Sequence, residues 1–200
     1  MQTVFDDNVL RGLQKWPDVP ACFGWLRLDR RGNWRIKDQI ISHRRAIEYL
    51  ARNYASDERG RWFVQNGPQR AYCTLDYTPW IYHLDGSDCL HTHTNKLASQ
   101  LERILIDETG DVLLHTEFGV GLLHDADLSR FIDVLDRHQE MSDHSSSAAD
   151  LLLSLKPGTT DERAVAWHNA QIPVQAVLAN TIGKSFGFDP TPDAEAERIE

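Results

Sequence analysis

The chain has 200 residues, enough for one large domain or two small ones, with 41% apolar and 26% charged residues. No stretch approaches the roughly 20 apolar residues of a spanning helix, and the N-terminal MQTVFDDNVL lacks the basic and apolar regions of a signal peptide. The three cysteines form no CxxC pair, as is typical of reduced thiols. These features predict a cytoplasmic protein with no membrane partner.

The formal net charge of −9 conceals an uneven distribution of charged residues. Residues 27–70 contain eleven Lys or Arg against five Asp or Glu, whereas the rest of the chain contains ten against twenty-five. A chain with this overall charge repels an extended nucleic acid at long range. The basic stretch can either pair with the acidic remainder or hold a small anion such as a phosphate group, and both interpretations stay open.

From the N-terminus, residues 1–20 are predicted to form an arm with a short helix that two prolines end. The first α+β half is predicted at residues 21–88. It begins with a strand, a turn at residues 29–32 and a returning strand. A helix follows, because an apolar stripe recurs at helical spacing in Ala46, Ile47, Leu50 and Ala51.

The stretch from Gly60 to Leu84, GRWFVQNGPQRAYCTLDYTPWIYHL, is predicted to be the central hairpin of this half. RWFVQ and AYCTL are rich in aromatic and β-branched residues that suit a pleated sheet, and the NGP between them favours a turn. Pro79 indicates an edge position or a bulge. Trp62 is expected in the core, whereas Trp80 is expected either in the core or lining a groove.

The second α+β half is predicted at residues 89–144. It contains a strand, a turn and a strand over residues 103–116, and then a helix. Residues 145–200 are predicted to be a C-terminal extension. It consists of a hairpin around residues 168–171, a last helix and an acidic tail from Asp189.

One turn pattern recurs along the chain. Residues 28–34, LDRRGNW, and residues 106–112, IDETGDV, share an apolar residue, Asp, two polar residues, Gly, a polar residue and an apolar residue. Residues 57–62 repeat the turn without the leading apolar residue. Asp can accept hydrogen bonds from the amides that follow it, and Gly can take positive φ. The pattern therefore indicates either a duplicated strand–turn–strand–helix unit or simply a common hairpin turn.

The basic and polar residues around the hairpins form a candidate anion site, because the guanidinium fork of arginine matches phosphate and carboxylate groups. The predicted ligand-binding residues are Arg35, Arg61, Asn66, Gln69, Arg70 and Trp80. The alternative is that these long side chains are simply solvated. The sequence assigns no catalytic residue and leaves any cofactor unknown.

His91 and His93 form the candidate metal site. Residues two apart on a strand face the same way, so both imidazoles could reach one ion, with His83 or His115 as a third ligand. No HExxH motif accompanies the pair. Histidines that are hydrogen-bonded without a metal are the alternative.

The segments GWLRLDRRGNWRI, DERGRWFVQNGPQRAYCTLDYTPWIYHL and IDETGDVLL resemble an uncharacterised family of proteobacterial proteins over most of residues 22–135. The chain is more loosely similar to a second domain-of-unknown-function family, through its Gly-x-Trp hairpin, basic helix, DxG hairpin and proline corner. This second resemblance implies a duplicated α+β core, a second half similar to a pleckstrin-homology fold, a ligand site between the halves and a role in signalling. Neither family supplies a catalytic residue.

The sequence thus predicts a β-rich α+β fold and favours a non-enzymatic module that binds a small anionic, nucleotide-like ligand between two halves. One alternative is a metal-dependent hydrolase that uses His91 and His93. Another is a protein-interaction domain that uses an exposed Trp80 and the acidic tail. A protein partner or a homo-oligomer is compatible with each.

Overall fold

The computed structural model describes residues 5–141, 147–155 and 163–193. Its contacts divide the chain into two units. The first comprises the described chain up to Pro79 and from Gly187 onward, and the second lies within Trp80–Phe186. No helix in the described ranges is long and apolar enough to cross a membrane. Most of the predicted acidic tail, from residue 194, lies outside the described residues.

The first unit is built on a six-stranded sheet. In chain order its elements are α1 (Asp7–Lys15), β1 (Cys22–Leu28), β2 (Trp34–Ile36), β3 (Gln39–Ile40), α2 (Arg44–Arg52), β4 (Tyr54–Ser56), β5 (Trp62–Asn66) and β6 (Gln69–Leu75). The strand order is β3-β2-β1-β6-β5-β4, in which β1 and β6 run parallel and the other neighbours antiparallel. The predicted hairpin around the NGP turn is confirmed as β5 and β6.

Aromatic side chains fill the core of this unit. Phe63 and Tyr72 pack on one face of the sheet, and the Phe23 ring stacks on Tyr72 with 4.6 Å between centroids. Tyr54 meets Trp34 edge-on, with 5.0 Å between ring centroids, and both rings are almost fully buried. Burying a side chain of this size contributes about 1.5–3 kcal/mol relative to leaving it exposed.

The C-terminal segment, residues 187–193, docks on the first unit. The Asp189 amide donates to the Gly60 carbonyl at 3.0 Å, and the Leu75 amide donates to the Pro190 carbonyl at 2.8 Å. Gly60 is needed for this contact, because a Cβ there would lie 2.1 Å from the Gly187 carbonyl oxygen. The part of the predicted tail that the structure describes is therefore held by backbone hydrogen bonds.

The second unit is built on an eight-stranded sheet. Its elements are β7 (Trp80–Leu84), β8 (Leu90–Thr92), β9 (Leu97–Ala98), β10 (Leu101–Ile106), β11 (Val112–Thr116), β12 (Gly119–Leu123), α3 (Leu128–Met141), α4 (Ala148–Leu153), β13 (Arg163–Trp167), β14 (Ala170–Ala176) and α5 (Ile182–Phe186), with short 3-10 turns at Asp125–Asp127 and Ala179–Thr181. The strand order is β13-β14-β10-β11-β12-β7-β8-β9. Two pairs are parallel, β10 with β14 and β7 with β12. The strand-rich α+β class predicted from the sequence is confirmed.

The last strand of the first sheet, β6, ends at Leu75, and Pro79 directly precedes β7. The strand that follows, β7, pairs with β8 and β12 and so belongs to the second sheet rather than to the β5–β6 hairpin. Proline lacks the amide donor that a continuing ladder would need. The predicted boundary between residues 88 and 89 consequently falls inside the β7–β8 hairpin, and the predicted C-terminal hairpin, β13 and β14, extends the second sheet beside β10.

Four hairpin turns share one hydrogen-bond pattern. In each, Oδ1 of the leading Asp accepts hydrogen bonds from the amides two and four residues later. The residue three positions later has positive φ and donates its amide to the Asp carbonyl. The leading residues are Asp29, Asp57, Asp85 and Asp107. The predicted turn chemistry is thus confirmed, while duplication of the two halves stays a prediction.

Candidate functional site

A groove of about 370 Å³ lies on the first unit, where β1, the β2–β3 turn and the end of β6 come together. This volume falls within the range of small-molecule sites, which is about 300–1,000 Å³. The groove, called the Trp25 groove below, is lined by Gly24, Trp25, Leu26, Arg27, Lys37, Asp38, Thr74 and Asp76. It therefore combines an aromatic ring with groups of both charges.

A bulge in β1 shapes this groove. Between two successive pairing positions the chain advances four residues on β1 but only two on β6. Gly24 lies in the bulge with a φ of 72°, and nothing approaches within 4 Å of the place where a Cβ would be. Trp25 is 52% exposed, because it lies on the face of β1 opposite the buried Leu26 and Leu28. Bulges commonly re-aim a side chain beside a functional site.

Lys37 lies next to the Trp25 ring. Its amide donates to the Trp25 carbonyl at 2.8 Å, and its Nζ is 4.2 Å from the indole centroid. Lys37 has a φ of 53°, which is uncommon for a residue with a side chain. Backbone strain of this kind is concentrated at ligand-binding and active sites. The turn thus holds an ammonium group over a half-exposed indole.

Two of the other charged groups of the groove, Arg27 and Asp76, pair with each other. This hydrogen bond raises the pKa of Arg27. Arg35, which the sequence predicts as a ligand residue, borders the groove: its Nη2 donates to the Asp38 carbonyl at 2.7 Å and its Nη1 lies 3.4 Å from Asp29 Oδ2. Arg35 therefore holds the turn that carries Lys37.

Arg61, a second predicted ligand residue, is only 7% exposed. Its Nε donates to Asp57 Oδ2 at 2.8 Å and its Nη2 donates to the Tyr72 hydroxyl at 2.9 Å. Burial acts to raise the pKa of Asp57, but the hydrogen bonds from Arg61 and Tyr72 hold it below its usual range. The Arg61 guanidinium thus braces the turn between β4 and β5.

The remaining predicted ligand residues occupy two other places. On the β5–β6 hairpin, Asn66 accepts from the Tyr49 hydroxyl at 3.3 Å, Gln69 donates to the Pro20 carbonyl at 3.0 Å, and Arg70 lies over the Phe63 ring. Trp80 belongs to the second unit.

The Trp80 side chain is 3% exposed, and its Nε1 donates to the Phe118 carbonyl at 2.8 Å. It is therefore a core residue, as one of the two interpretations predicted. The predicted protein-interaction function needed an exposed Trp80. Trp80 is instead buried in the second unit.

The two histidines of the predicted metal pair make separate contacts. His91 Nε2 lies 3.0 Å from Asp85 Oδ2, whereas His93 Nδ1 accepts from the Ile81 amide at 3.3 Å. Burial, together with the nearby His83 and Lys96, lowers the pKa of His93 to about 3. His93 thus has the surroundings of a neutral core histidine.

A different group in the described part of the chain could hold a metal ion. His83, His124 and Asp127 offer donor atoms that all lie within 4.8 Å of one another. Burial and the neighbouring His124 lower the pKa of His83. His83 was predicted only as an accessory ligand, and His124 and Asp127 were not predicted to be ligands. The available signal was the spacing of His124 and Asp127, three residues apart just before a predicted helix.

Comparison with known proteins identifies a family and a fold. The profile of a family described as "Protein of unknown function (DUF2946)" matches residues 5–193. No curated protein matches the sequence. The crystal structure of a DUF1285 family protein from Silicibacter pomeroyi DSS-3 is similar, with a TM-score of 0.51 and 14% identity over 82% of this chain and 87% of that one. A DUF1285 family protein from Shewanella baltica OS155 gives a TM-score of 0.43 and 13% identity over 55% and 91%.

Proposed function

This chain belongs to the family of proteins of unknown function (DUF2946), and we propose that it is a binding module for a small, nucleotide-like anion held in the Trp25 groove. The observation that carries this proposal is the Trp25 indole, which is half exposed next to the bulge of β1 and has the Lys37 ammonium over its ring. An aromatic ring in a groove with convergent polar groups is the usual arrangement of a small-molecule site.

The chemistry of the lining residues selects the class of ligand. A planar base stacked on Trp25 would gain about 1–3 kcal/mol, as bases do on aromatic side chains. The Asp38 and Asp76 carboxylates can accept hydrogen bonds from amino groups of the base, and the Lys37 ammonium can donate to a phosphate. A mononucleotide satisfies all three kinds of group.

The same charges argue against a bare anion. Two carboxylates lie in the groove beside Arg27 and Lys37, so the positive charge is largely balanced. Inorganic phosphate has no ring to stack and would meet the carboxylates without compensation. We therefore expect mononucleotides to bind more tightly than inorganic phosphate.

The proposed ligand is of the anionic class that the uneven charge of the sequence suggested. Arg35 does not contact the ligand in this arrangement but holds the turn that carries Lys37. Lys37, rather than Arg61, donates to the anion, because the Arg61 guanidinium already donates to Asp57 and Tyr72. A site between two halves remains a separate prediction. Binding without chemistry would suit the signalling role that the second resemblance implies.

A thermal-unfolding screen at low salt tests the proposal directly. We expect AMP or GMP to raise the melting temperature by several degrees, because a ligand at 100 times its Kd adds about 2.7 kcal/mol of stability. Trp25→Ala and Lys37→Ala should each weaken the affinity at least about tenfold through loss of stacking or of the charged donor.

Trp16 provides a matched control. It is also 52% exposed and has the Lys15 ammonium 4.4 Å from its ring centroid, but it lies outside the groove. Trp16→Ala should leave nucleotide binding unchanged. The proposal fails if no mononucleotide stabilises the protein, or if Trp16→Ala and Trp25→Ala reduce the stabilisation equally.

A further inference from the structure

The second unit carries a cluster of three metal-ligand side chains, His83, His124 and Asp127, called the His83 cluster below. His83 lies on β7, and His124 directly follows β12. The His124 amide donates to the Tyr82 carbonyl at 2.9 Å, which extends the parallel pairing of β7 and β12 by one residue. The two imidazoles are therefore neighbours, with 4.5 Å between ring centroids.

A short turn brings the carboxylate to these rings. His124 is the N-cap of the 3-10 turn Asp125–Asp127, which leads directly into α3. Asp127 Oδ2 accepts from the Leu84 amide at 3.2 Å and lies 3.4 Å from His83 Nδ1. The Leu84 amide of β7 thus holds the Asp127 carboxylate beside the His83 imidazole.

The spacing of one pair of these atoms matches that of two ligands on one ion. Zinc ligands lie about 2.0–2.2 Å from the metal, so two ligands of a tetrahedral ion are about 3.4 Å apart. The distance between His83 Nδ1 and Asp127 Oδ2 has this value. It is longer than the 2.7–3.2 Å of a typical N–H···O hydrogen bond.

A further carboxylate lies where it can orient His124. His124 Nδ1 lies 3.2 Å from Asp125 Oδ1, and the Ala126 amide donates to both atoms, to Nδ1 at 3.1 Å and to Oδ1 at 3.0 Å. The amide can therefore be satisfied by Asp125 while His124 Nδ1 carries a proton. That tautomer leaves His124 Nε2 free to bind a metal, as in carboxylate–histidine–metal arrangements.

We propose that His83, His124 and Asp127 bind one divalent transition-metal ion, independently of the Trp25 groove. Two imidazoles and one carboxylate suit Zn²⁺ and neighbouring first-row ions. Three protein ligands leave a fourth position for water or another molecule, as in zinc sites that are not purely structural. The side chains are 18–35% exposed, so an ion can reach them from solvent.

Isothermal titration of the tag-free, chelator-treated full chain with ZnCl₂ tests this site. We expect one ion per chain. His83→Ala and Asp127→Asn should each weaken Zn²⁺ binding at least about tenfold, and Asn can still accept from the Leu84 amide, which keeps the turn folded. Co²⁺ should give the intense visible absorption of a four-coordinate complex in the unaltered chain and lose it in both variants.

His138 and His168 offer a matched control, because their rings are also close, with 4.7 Å between centroids. His168→Asn should bind Zn²⁺ as the unaltered chain does, since Asn tolerates the positive φ of that position. Absence of stoichiometric Zn²⁺ binding would overturn the proposal. So would binding that survives in both His83→Ala and Asp127→Asn, or that is lost equally in His168→Asn. Circular dichroism of each variant distinguishes loss of a ligand from loss of the fold.

Discussion

His93 is a half-buried residue whose imidazole Nδ1 and backbone amide both contact Ile81. Its Nδ1 accepts from the Ile81 amide, its own amide donates to the Ile81 carbonyl at 2.7 Å, and its ring lies 5.6 Å from that of Trp80. Because Nδ1 accepts from the Ile81 amide, it carries no proton, so this arrangement requires the neutral form of the imidazole. Local sequence cannot reveal such burial, because it depends on how β7 and β8 pair.

The neutral state of His93 makes the stability of the protein depend on pH. The pKa is about 3 in the folded chain against 6.5 for a free side chain, so the unfolded chain binds more protons between these values. Stability is therefore fully present above about pH 6.5 and falls on acidification toward pH 3, with a slope of up to about 1.4 kcal/mol per pH unit.

Urea unfolding of the metal-free protein at several pH values between about 5 and 7 measures this slope. The stability of His93→Leu should depend less steeply on pH than that of the unaltered chain over that range. Identical slopes for His93→Leu and the unaltered chain would contradict the assignment.

Among the elements, the Asp-led turns have the same local sequence pattern but differ in what packs against them. Gly60 and Gly110 occupy the same position in two such turns, with φ of 75° and 86°. A Cβ at Gly110 would meet nothing within 4 Å, whereas one at Gly60 would overlap the backbone of Gly187 and Phe188. The turn chemistry was predictable from the sequence, but the contact with the C-terminal segment was not.

Because of this difference, a Gly→Ala substitution should lower the free energy of unfolding more at Gly60 than at Gly110. Gly110→Ala should lower the free energy of unfolding by about 1–2 kcal/mol, the cost of a left-handed conformation for a residue with a Cβ. Gly60→Ala carries that cost and must also displace residues 187–188, which adds about 1–3 kcal/mol. Chemical denaturation of both variants measures the difference. Equal losses would mean that the C-terminal segment is not held against this turn.

The strand β1 was predictable from the sequence only in part. The strand itself was predictable, and Gly24 was the only local sign of a bulge. The bulge depends on the register of β1 on β6, a parallel partner more than forty residues away in sequence. Such pairing leaves no local signature, so the Trp25 groove could not be read from the sequence.

For the whole molecule, class and family were accessible from the sequence, whereas the arrangement of strands was not. The α+β class and membership of an uncharacterised family with looser similarity to a second one are confirmed. The assignment of β7 to a second sheet depended on long-range pairing. The excess positive charge of residues 27–70 is also partly used internally, since Arg27, Arg52 and Arg61 pair with Asp76, Asp6 and Asp57.

The most direct test of ligand binding is the indole N–H region of a ¹H–¹⁵N correlation spectrum, in which the six tryptophans give six resolvable signals. Trp25→Phe and Trp16→Phe assign the two signals that matter. On titration with AMP or GMP, the Trp25 signal should move saturably while the Trp16 signal stays in place. If the Trp25 signal does not move with either nucleotide, or if both signals move together, the Trp25 groove is not the binding site.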